Sequence, residues 1–271
     1  MAIASFIANW KMNKTLAESR DYLNKLQKLL PARAKSGDQV ILASTYTALA
    51  SLAEWIRASS LEIGLAAQNL HFAAEGAYTG EISSSMLYET GCRYVIVGHS
   101  ERRLHCGETD EMIAQKLAAA GIAHLVPILC VGESEREREQ NKTVAVIKRQ
   151  IKKGLCLGLS SKGHENGPLD LSDCIIAYEP VWAIGTGKTP TPFEVEKVHR
   201  EIYDYLQSEG VVSEGMPKIL YGGSVNEKNI SAFMEKAHID GVLVGGASLS
   251  AERFVQMIEL GLEAKETVCT S

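Results

Sequence analysis

The chain has 271 residues, of which 45% are hydrophobic and 23% are charged, and its net charge is −5. This balance is ordinary for a globular protein and lacks the clustered basic character of a nucleic-acid-binding surface. No apolar run approaches the roughly 18 residues that span a membrane. The composition predicts neither a nucleic-acid partner nor a membrane segment, and it leaves room for a small anionic substrate.

The cysteines and the first residues of the chain favour the cytoplasm. Residues 1–7 lack the basic segment and the cleavable apolar stretch of a secretory signal. No two cysteines form a Cys-x-x-Cys pair, so neither a zinc ribbon nor a thioredoxin-type motif is present. We therefore expect a cytoplasmic protein with reduced thiols at Cys92, Cys106, Cys130, Cys156, Cys174 and Cys269.

Eight short apolar segments, taken in chain order, are predicted to be strands. They are nearly continuous in Val, Ile, Leu and Ala, a pattern typical of parallel strands that are buried on both faces. The predicted strands are Ala2–Ala8, Gln39–Ala43, Glu62–Ala67, Tyr94–Val97, Leu125–Cys130, Cys174–Tyr178, Lys218–Tyr221 and Gly241–Val244.

Amphipathic segments between the strands are predicted to be helices. Thr191, Pro192 and Glu194 give one of them an N-cap, a proline at its first position and an acid in its first turn. The predicted helices are Thr15–Leu30, Ala48–Ala58, Ser83–Glu89, Glu108–Ala120, Ser134–Lys153, Pro192–Glu209, Asn226–Met234 and Ala251–Leu260.

Two architectures fit this alternation of strands and helices: a closed barrel and an open, doubly wound sheet. An open sheet usually has one dominant glycine-rich ligand loop, whereas polar or glycine residues follow almost every strand here. This spread favours a single-domain (β/α)8 barrel, the TIM-barrel fold, over residues 1–271. The polar, glycine-rich segment 154–172 is interpreted as an extended surface loop, and a tolerated insertion explains it more simply than a function does.

Two apparent nucleotide-binding motifs near residue 187 are incomplete. A P-loop ending in Gly187-Lys188 requires a glycine at position 182, which is Trp182. A dinucleotide fingerprint starting at Gly185 requires a glycine at position 190, which is Pro190. We therefore expect no nucleotide cofactor at this loop.

Three side chains able to do acid–base or electrostatic chemistry follow predicted strands. Lys11 comes shortly after the first strand and would be costly to bury unpaired. His99 follows the fourth strand, and a helix starting there would favour its neutral form. Glu179 closes the sixth strand before a proline and is a candidate general base. Taken alone, each is also compatible with a solvated or structural side chain.

The later strand ends predict a lid and an anion site. Residues 180–190 combine apolar residues with a Gly-Thr-Gly tip, which is typical of a lid that excludes water. Gly222-Gly223 and Gly245-Gly246 follow the last two strands, so backbone N–H groups and helix N-termini can approach an anion there. Phosphate sites often lie at this position in barrels. The alternative is a pair of tight turns.

Several segments resemble the triosephosphate isomerase family, in the family's order and along nearly the whole chain. The resemblance implies interconversion of dihydroxyacetone phosphate and glyceraldehyde 3-phosphate, with no metal and no organic cofactor. The seven histidines show no metal-ligand spacing. The matching segments are Asn9–Asn13, Gln68–Asn69, Gly76–Ile82, Gly98–Arg103, Ala177–Lys188, Tyr221–Val225 and Val244–Leu249.

The resemblance also implies a role for each site residue. Glu179 is then the base that moves a proton between adjacent carbons, His99 polarises the carbonyl, and Lys11 stabilises the enediolate. The other implied residues are Asn9 at the enediolate, Glu101 beside Lys11, Gly185, Ser224, Gly245 and Gly246 at the phosphate, and Trp182, Thr186 and Tyr221 in the lid.

A homodimer is implied as well. Thr79, at the tip of the loop Gly76–Ile82, would insert beside Asn9, Lys11 and Glu101 of a second copy. The alternative is an ordinary surface loop, but a loop of this length in a compact barrel usually has a purpose.

One residue departs from the family pattern. Many members have, at the position of Pro190, a residue whose backbone N–H donates to a tyrosine hydroxyl when the lid closes; here that hydroxyl would belong to Tyr221. Proline lacks the donor. We expect the closed lid to lose this bond, a net of about 0.5–1.5 kcal/mol, or to replace it.

Two other functions fit the same residues. One is a related isomerase that acts on a four-carbon ketose phosphate, and the other is a non-catalytic phosphate-binding barrel. The combination of Lys11, His99 and Glu179 argues against the second, because binding alone needs no base.

Overall fold

Eight parallel strands close into a barrel in the computed structural model of this protein. The structure describes residues 4–34, 40–59, 61–159, 174–184, 186, 188–209 and 215–270. The strands pair in chain order and the last pairs with the first, which confirms the predicted (β/α)8 barrel. They are β1 (Ser5–Asn9), β2 (Val40–Ser44), β3 (Gly64–Ala67), β4 (Tyr94–Val97), β5 (Val126–Val131), β6 (Ile175–Tyr178), β7 (Lys218–Tyr221) and β8 (Gly241–Val244).

Helices alternate with the strands along the chain. Within the described ranges, none of them is both long and apolar enough to cross a lipid bilayer. The helices are α1 (Leu16–Leu29), α2 (Tyr46–Ala58), α3 (Ser84–Glu89), α4 (Ser100–His105), α5 (Asp110–Ile122), α6 (Glu135–Glu139), α7 (Thr143–Leu159), α8 (Pro192–Ser208), α9 (Ile230–Met234) and α10 (Ala251–Thr270).

Reciprocal side-chain caps begin several of these helices. At the start of α8, the Thr191 side chain accepts a hydrogen bond from the Glu194 N–H, and the Glu194 carboxylate accepts one from the Thr191 N–H. Ser134 and Glu137 do the same for α6. Each such pair satisfies N–H groups that a helix start leaves without an internal partner. The predicted N-cap at Thr191 is confirmed.

Apolar strand residues form two buried layers. Ile7, Ile96 and Leu220 belong to a cluster that fills the barrel interior. Phe6 and Val97, their neighbours along the strands, belong to a second cluster shared with the helices. Because both faces of each strand are buried, the strands are apolar without alternation.

One predicted helix is two helices. The segment Ser134–Lys153 divides into α6 and α7 at Asn141, whose φ of 55° is left-handed and cannot continue a helix. α7 then runs to Leu159, so the first residues of the predicted loop 154–172 are helical. The rest of that loop, 160–172, lies outside the described residues.

Two other helix boundaries differ from the prediction by more than two residues. The last helix continues through Gly261 instead of ending at Leu260. The glycine fits there because a Cβ would lie 2.6 Å from a ring carbon of Phe6. α9 begins at Ile230 instead of Asn226, because the Asn226 side chain accepts the Lys228 N–H and forms a turn there.

The ends of β5 and β6 approach each other closely. The Glu179 N–H donates to the Val131 carbonyl at 2.7 Å. A Cβ on Gly132 would lie 1.7 Å from the Glu179 carbonyl oxygen, so only glycine fits at this position. This contact fixes the backbone of Glu179 at the carboxyl end of the barrel.

A buried ionic cluster joins the segments that follow β3 and β4. Glu108 Oε1 accepts from Arg102 Nε and Lys116 Nζ, each at 2.5 Å, and Lys116 also donates to Asn69 Oδ1 at 2.7 Å. Burial alone would raise the pKa of Glu108, but the bonds from the two cations outweigh it and hold this pKa below its ordinary value. Because Arg102 lies on α4, the cluster holds that helix in place.

We expect Gly132→Ala to destabilise the fold strongly, because the added methyl cannot fit without moving the Glu179 backbone. Overpacking costs about 1–3 kcal/mol, and a backbone neighbour places this case at or above the upper end. Urea denaturation measures the change. Gly154→Ala is the matched control, since its methyl meets only the side-chain ends of Leu117 and Leu129. Equal free energies of unfolding for the Gly132→Ala and Gly154→Ala variants would contradict the close approach of Gly132 to Glu179.

Lys116→Met should lower the free energy of unfolding by up to about 3–5 kcal/mol at neutral pH, because Glu108 loses a buried partner. The depressed pKa of Glu108 means that its pairing stabilises the fold above its unfolded pKa, and that this stabilisation is lost as the pH falls through the lower folded pKa. The difference in the free energy of unfolding between the native protein and Lys116→Met should therefore shrink as the pH falls through the folded pKa of Glu108. Urea titrations at a series of acidic pH values measure it. Lys153→Met, which breaks an exposed pair with Glu111, should have little effect at any pH.

Candidate active site

A cavity of about 560 Å³ opens at the carboxyl ends of the strands, where (β/α)8 barrels carry their active sites. Gly185, which was predicted to contact phosphate, lies outside the described residues. The described part of the chain holds no group of three His, Cys, Asp or Glu side chains placed to bind a metal ion. The predicted site residues that line the cavity are Asn9, Lys11, His99, Glu101, Glu179, Ser224, Gly245 and Gly246.

The carboxylate of Glu179 is buried in the wall of this cavity, with only 2% of the residue exposed. Its Oε1 lies 3.1 Å from Nε2 of His99, and its Oε2 accepts a hydrogen bond of 2.9 Å from the Ser100 N–H. Burying a carboxylate is costly unless hydrogen bonds replace its hydration. Here the Ser100 N–H supplies such a bond to one oxygen, and the His99 ring nitrogen lies within hydrogen-bonding distance of the other.

The protonation of His99 follows from its second ring nitrogen. Nδ1 lies 3.2 Å from the backbone nitrogen of Glu101, which can only donate. Nδ1 must therefore accept, so the proton of a neutral imidazole sits on Nε2 and faces Glu179. His99 is also the N-cap residue of α4. In this tautomer, His99 presents its Nε2–H donor to the cavity.

Lys11 places a positive charge in the same cavity as the Glu179 carboxylate. Its φ of 51° is left-handed, which is uncommon for a residue with a side chain. Two contacts hold this backbone: the Lys11 N–H donates to Asn9 Oδ1 at 3.0 Å, and Gln68 Nε2 donates to the Lys11 carbonyl at 2.9 Å. The ammonium donates to Glu101 at 2.6 Å. Asn9 and Gln68 therefore determine where the charge points.

Glu101 supports Lys11 as an ionised carboxylate. Partial burial raises its pKa, but the hydrogen bond and charge of Lys11 outweigh this and leave the pKa of Glu101 below its ordinary value. The sequence predicted Glu101 for this place and assigned no role to Gln68. The position of Gln68 directly after β3 is the signal that could have identified it, because the other site residues also follow strands.

The turns after β7 and β8 form another part of the cavity wall. Gly245 precedes the short 3-10 helix Gly246–Leu249. A Cβ on Gly245 would come within 3.3 Å of Lys11 Cε, so the glycine lets the lysine stem pass close to this turn. The Ser224 hydroxyl donates to the Ala183 carbonyl at 3.0 Å and so links this wall to the predicted lid.

Two residues of the predicted lid, Val181 and Ile184, line the cavity, whereas Trp182 and Thr186 lie outside its lining. Trp182 is buried, and its indole N–H donates to Glu133 at 2.8 Å. The Thr186 hydroxyl donates to the Trp182 carbonyl at 2.9 Å. Tyr221 ends β7 as a fully buried side chain, and Lys188 forms an exposed ion pair with Glu135 on α6.

Glu133 is a lid contact that the sequence did not predict. Its fully buried carboxylate accepts from the Trp182 indole and from the Tyr178 hydroxyl, the latter at 3.2 Å. Its carbonyl also accepts the Val181 N–H at 3.1 Å. Burial raises the pKa of this carboxyl. The first end of the predicted lid is thus held by a residue that follows β5.

Thr79 is exposed on the loop between β3 and α3 and does not line the cavity of its own chain. The base of this loop is closed by a bridge between His71 and Ser83. A second cavity, of about 260 Å³, lies on another side of Lys11. Met12 at its edge is 94% exposed, so an apolar surface next to the active site is uncovered in the single chain.

Comparison with known proteins agrees with this geometry. Residues 4–261 match the family model described as triosephosphate isomerase. Triosephosphate isomerase of Endomicrobium trichonymphae is 46% identical over 93% of this chain and 96% of its own length, and that of Aquifex aeolicus is 43% identical over 93% and 96%. The crystal structure of the Bartonella henselae triosephosphate isomerase has a TM-score of 0.81 and 34% identity, over 95% of this chain and 98% of that one. This chain belongs to the triosephosphate isomerase family.

Proposed function

We propose that this chain interconverts dihydroxyacetone phosphate and D-glyceraldehyde 3-phosphate through an enediolate, in the cytoplasm. Family membership supports the substrates. The observation that carries the chemistry is the 3.1 Å contact between Glu179 Oε1 and His99 Nε2, with the ammonium of Lys11 in the same cavity.

Glu179 is the proposed base. A substrate in the cavity competes for this carboxylate, which leaves Ser100 and takes the proton from the carbon beside the carbonyl. The electron pair of that C–H bond forms the C=C bond of the enediolate, and the carbonyl oxygen takes the negative charge. The proton of the adjacent hydroxyl then passes to that first oxygen, which leaves the negative charge on the second oxygen. Glu179 returns its proton to the former carbonyl carbon: the C=C electron pair forms the new C–H bond, and an electron pair of the second oxygen forms the new C=O bond. A positioned base of this kind contributes roughly 10²–10⁴-fold in rate.

His99 and Lys11 are the proposed stabilisers of the enediolate. The His99 Nε2–H can donate to the oxygens without losing its own proton, since Nδ1 is held as an acceptor by the Glu101 N–H. The Lys11 ammonium adds a positive charge where negative charge develops. One preorganised donor at a developing oxyanion is worth roughly 2.7–4 kcal/mol, so these two groups together can contribute more than the base.

The turns at Ser224, Gly245 and Gly246 are the proposed phosphate site, together with Gly185 of the lid. Glycine turns and helix N-termini present backbone N–H groups to anions. Gly245 also lies next to the Lys11 stem, so a phosphate here sits beside a cation. Binding energy gained at the phosphate can then orient the reacting carbons.

A four-carbon ketose phosphate is the nearest alternative substrate. The relatives compared above are triosephosphate isomerases by name, which favours the three-carbon sugar. A coupled assay of the purified protein with both sugars decides between them. A kcat/KM clearly higher for the four-carbon sugar would refute the proposal.

A homodimer is the proposed assembly. The exposed loop that carries Thr79 and the 260 Å³ cavity beside Lys11 lie in the same chain without covering each other. Met12 and Tyr46 at that cavity, and Tyr78 beside Thr79, are large apolar side chains left exposed. A second copy could cover them by inserting its Thr79 loop into the cavity, which would also restrain the Lys11 segment.

Glu179→Asp tests the base. The shorter side chain withdraws the carboxylate from the substrate carbon, so kcat should fall steeply, by about 10²-fold or more, while a phosphate ligand still binds. The coupled assay and glycerol 3-phosphate titration measure the two quantities. Glu62→Asp, an exposed change just before β3, is the control. Activity equal to that of the control would rule out the base role.

Met12→Glu tests the dimer, because it places a charge on the most exposed apolar side chain next to the active site. We expect sedimentation to show dissociation into single chains and specific activity to fall on dilution. Ile122→Glu, an equally charged change at an exposed residue ending α5, should leave both unchanged. A fully active monomer would contradict the proposed interface.

A further inference from the structure

Asn229 uses its side chain in an unexpected way. It is the N-cap residue of α9, where an asparagine normally accepts a hydrogen bond from the first turn, yet no such bond is present. The carboxamide turns back toward the loop that follows β7. Its Nδ2 donates to the Ser224 carbonyl at 3.1 Å, and its Oδ1 accepts the Asn226 N–H at 2.9 Å.

A carboxamide can make both contacts, whereas an ionised carboxylate of the same size cannot. A backbone carbonyl only accepts and a backbone N–H only donates, so the side chain must offer one donor and one acceptor at fixed places. An ionised aspartate has nearly the same shape, but it would direct an acceptor at the Ser224 carbonyl. The position is therefore selective for the chemistry of asparagine and not just for its size.

The local turn does not need this carboxamide. The Asn226 side chain accepts the Lys228 N–H at 2.9 Å. The Asn226 carbonyl accepts the N–H groups of Asn229 and Ile230 at 3.2 and 3.1 Å. These bonds define the start of α9, so what the Asn229 side chain adds is the link to Ser224.

Ser224 connects this link to the active site. It lines the cavity, and its hydroxyl donates to the Ala183 carbonyl at 3.0 Å. At the other end of the same loop, the Gly222 N–H donates to the Tyr178 carbonyl at 2.8 Å, directly before Glu179. Fixing Ser224 therefore fixes the position of loop 222–225 relative to Glu179 and to the predicted lid.

We propose that Asn229 is a positioning residue for the substrate phosphate: its carboxamide holds loop 222–225 in the geometry that receives the anion. Asn229 does not itself touch the substrate. The inference rests on the proposed function, because that function assigns phosphate binding to the Ser224 loop. A loop that must be ordered by its ligand binds that ligand more weakly than a preformed one.

Asn229→Asp and Asn229→Ala test the inference through phosphate binding. Calorimetry with glycerol 3-phosphate, a phosphate ester that has no carbonyl to react, should show about tenfold weaker binding in both variants, the scale of one lost hydrogen bond. Asn141→Asp, at an exposed turn between α6 and α7, controls for the added charge and should bind like the native protein.

Kinetics separate positioning of the phosphate from general damage. Both variants should lose much more kcat/KM for glyceraldehyde 3-phosphate than for glyceraldehyde, which has no phosphate. An equal loss on the two substrates would indicate a structural defect and overturn the inference.

Acidification gives an independent test with Asn229→Asp. A protonated carboxyl can again donate to the Ser224 carbonyl. The affinity of this variant, divided by that of the native protein at the same pH, should therefore rise as the pH is lowered toward the ordinary aspartate pKa of about 3.9. A ratio that does not change with pH contradicts the donor role.

The outcomes distinguish the two proposals. If the native protein binds glycerol 3-phosphate and both variants bind it equally tightly, the inference fails and the proposed function stands. If the native protein neither binds this ester nor isomerises triose phosphate, the proposed function fails and the inference falls with it.

Discussion

The buried carboxylate of Glu179 requires hydrogen-bond donors at fixed positions around it, and the surrounding structure has to hold them there. An ionised carboxylate away from water is stable only if nearby donors replace its hydration. The Ser100 N–H and the His99 Nε2 are those donors, and both belong to the start of α4. The fold therefore has to hold the start of this helix and the end of β6 at a fixed separation.

That separation is maintained through β5, which lies between β4 and β6. On one side, the Arg103 guanidinium donates to the Gly98 carbonyl at 2.9 Å and to the Cys130 carbonyl at 3.3 Å, which joins the end of β4 to β5. On the other side, Gly132 lets the backbone of Glu179 approach β5 to a distance that a Cβ would forbid. Arg103 and Gly132 thus together fix the distance between Glu179 and His99.

The same constraint explains what the sequence could and could not reveal. Strand residues such as Ile96 can be recognised because burial on both faces leaves a continuous apolar pattern, and strand ends identify site residues because parallel strands converge there. The break at Asn141 cannot be placed from periodicity, because residues 134–143 contain no apolar side chain and the apolar pattern begins only at Val144. Gln68 and Glu133 follow strand ends, which could have drawn attention to them, but their partners are brought close only by the fold. Asn229 follows no strand end, and no local pattern marks it. The individual catalytic roles came from the family resemblance and not from spacing.

The two ends of the lid are restrained by different means. At the first end, Trp182 and Val181 both donate to Glu133, and Ser224 donates to the backbone beside them. At the second end, Pro190 has a fixed φ and no N–H to exchange between partners. Movement at the first end would break these hydrogen bonds, whereas Pro190 has no N–H to donate when the predicted lid closes. In the proposed reaction, stabilisation of a closed lid must therefore come mainly from inside the cavity, from the phosphate held at the Ser224 loop, so phosphate binding and exclusion of water become one event.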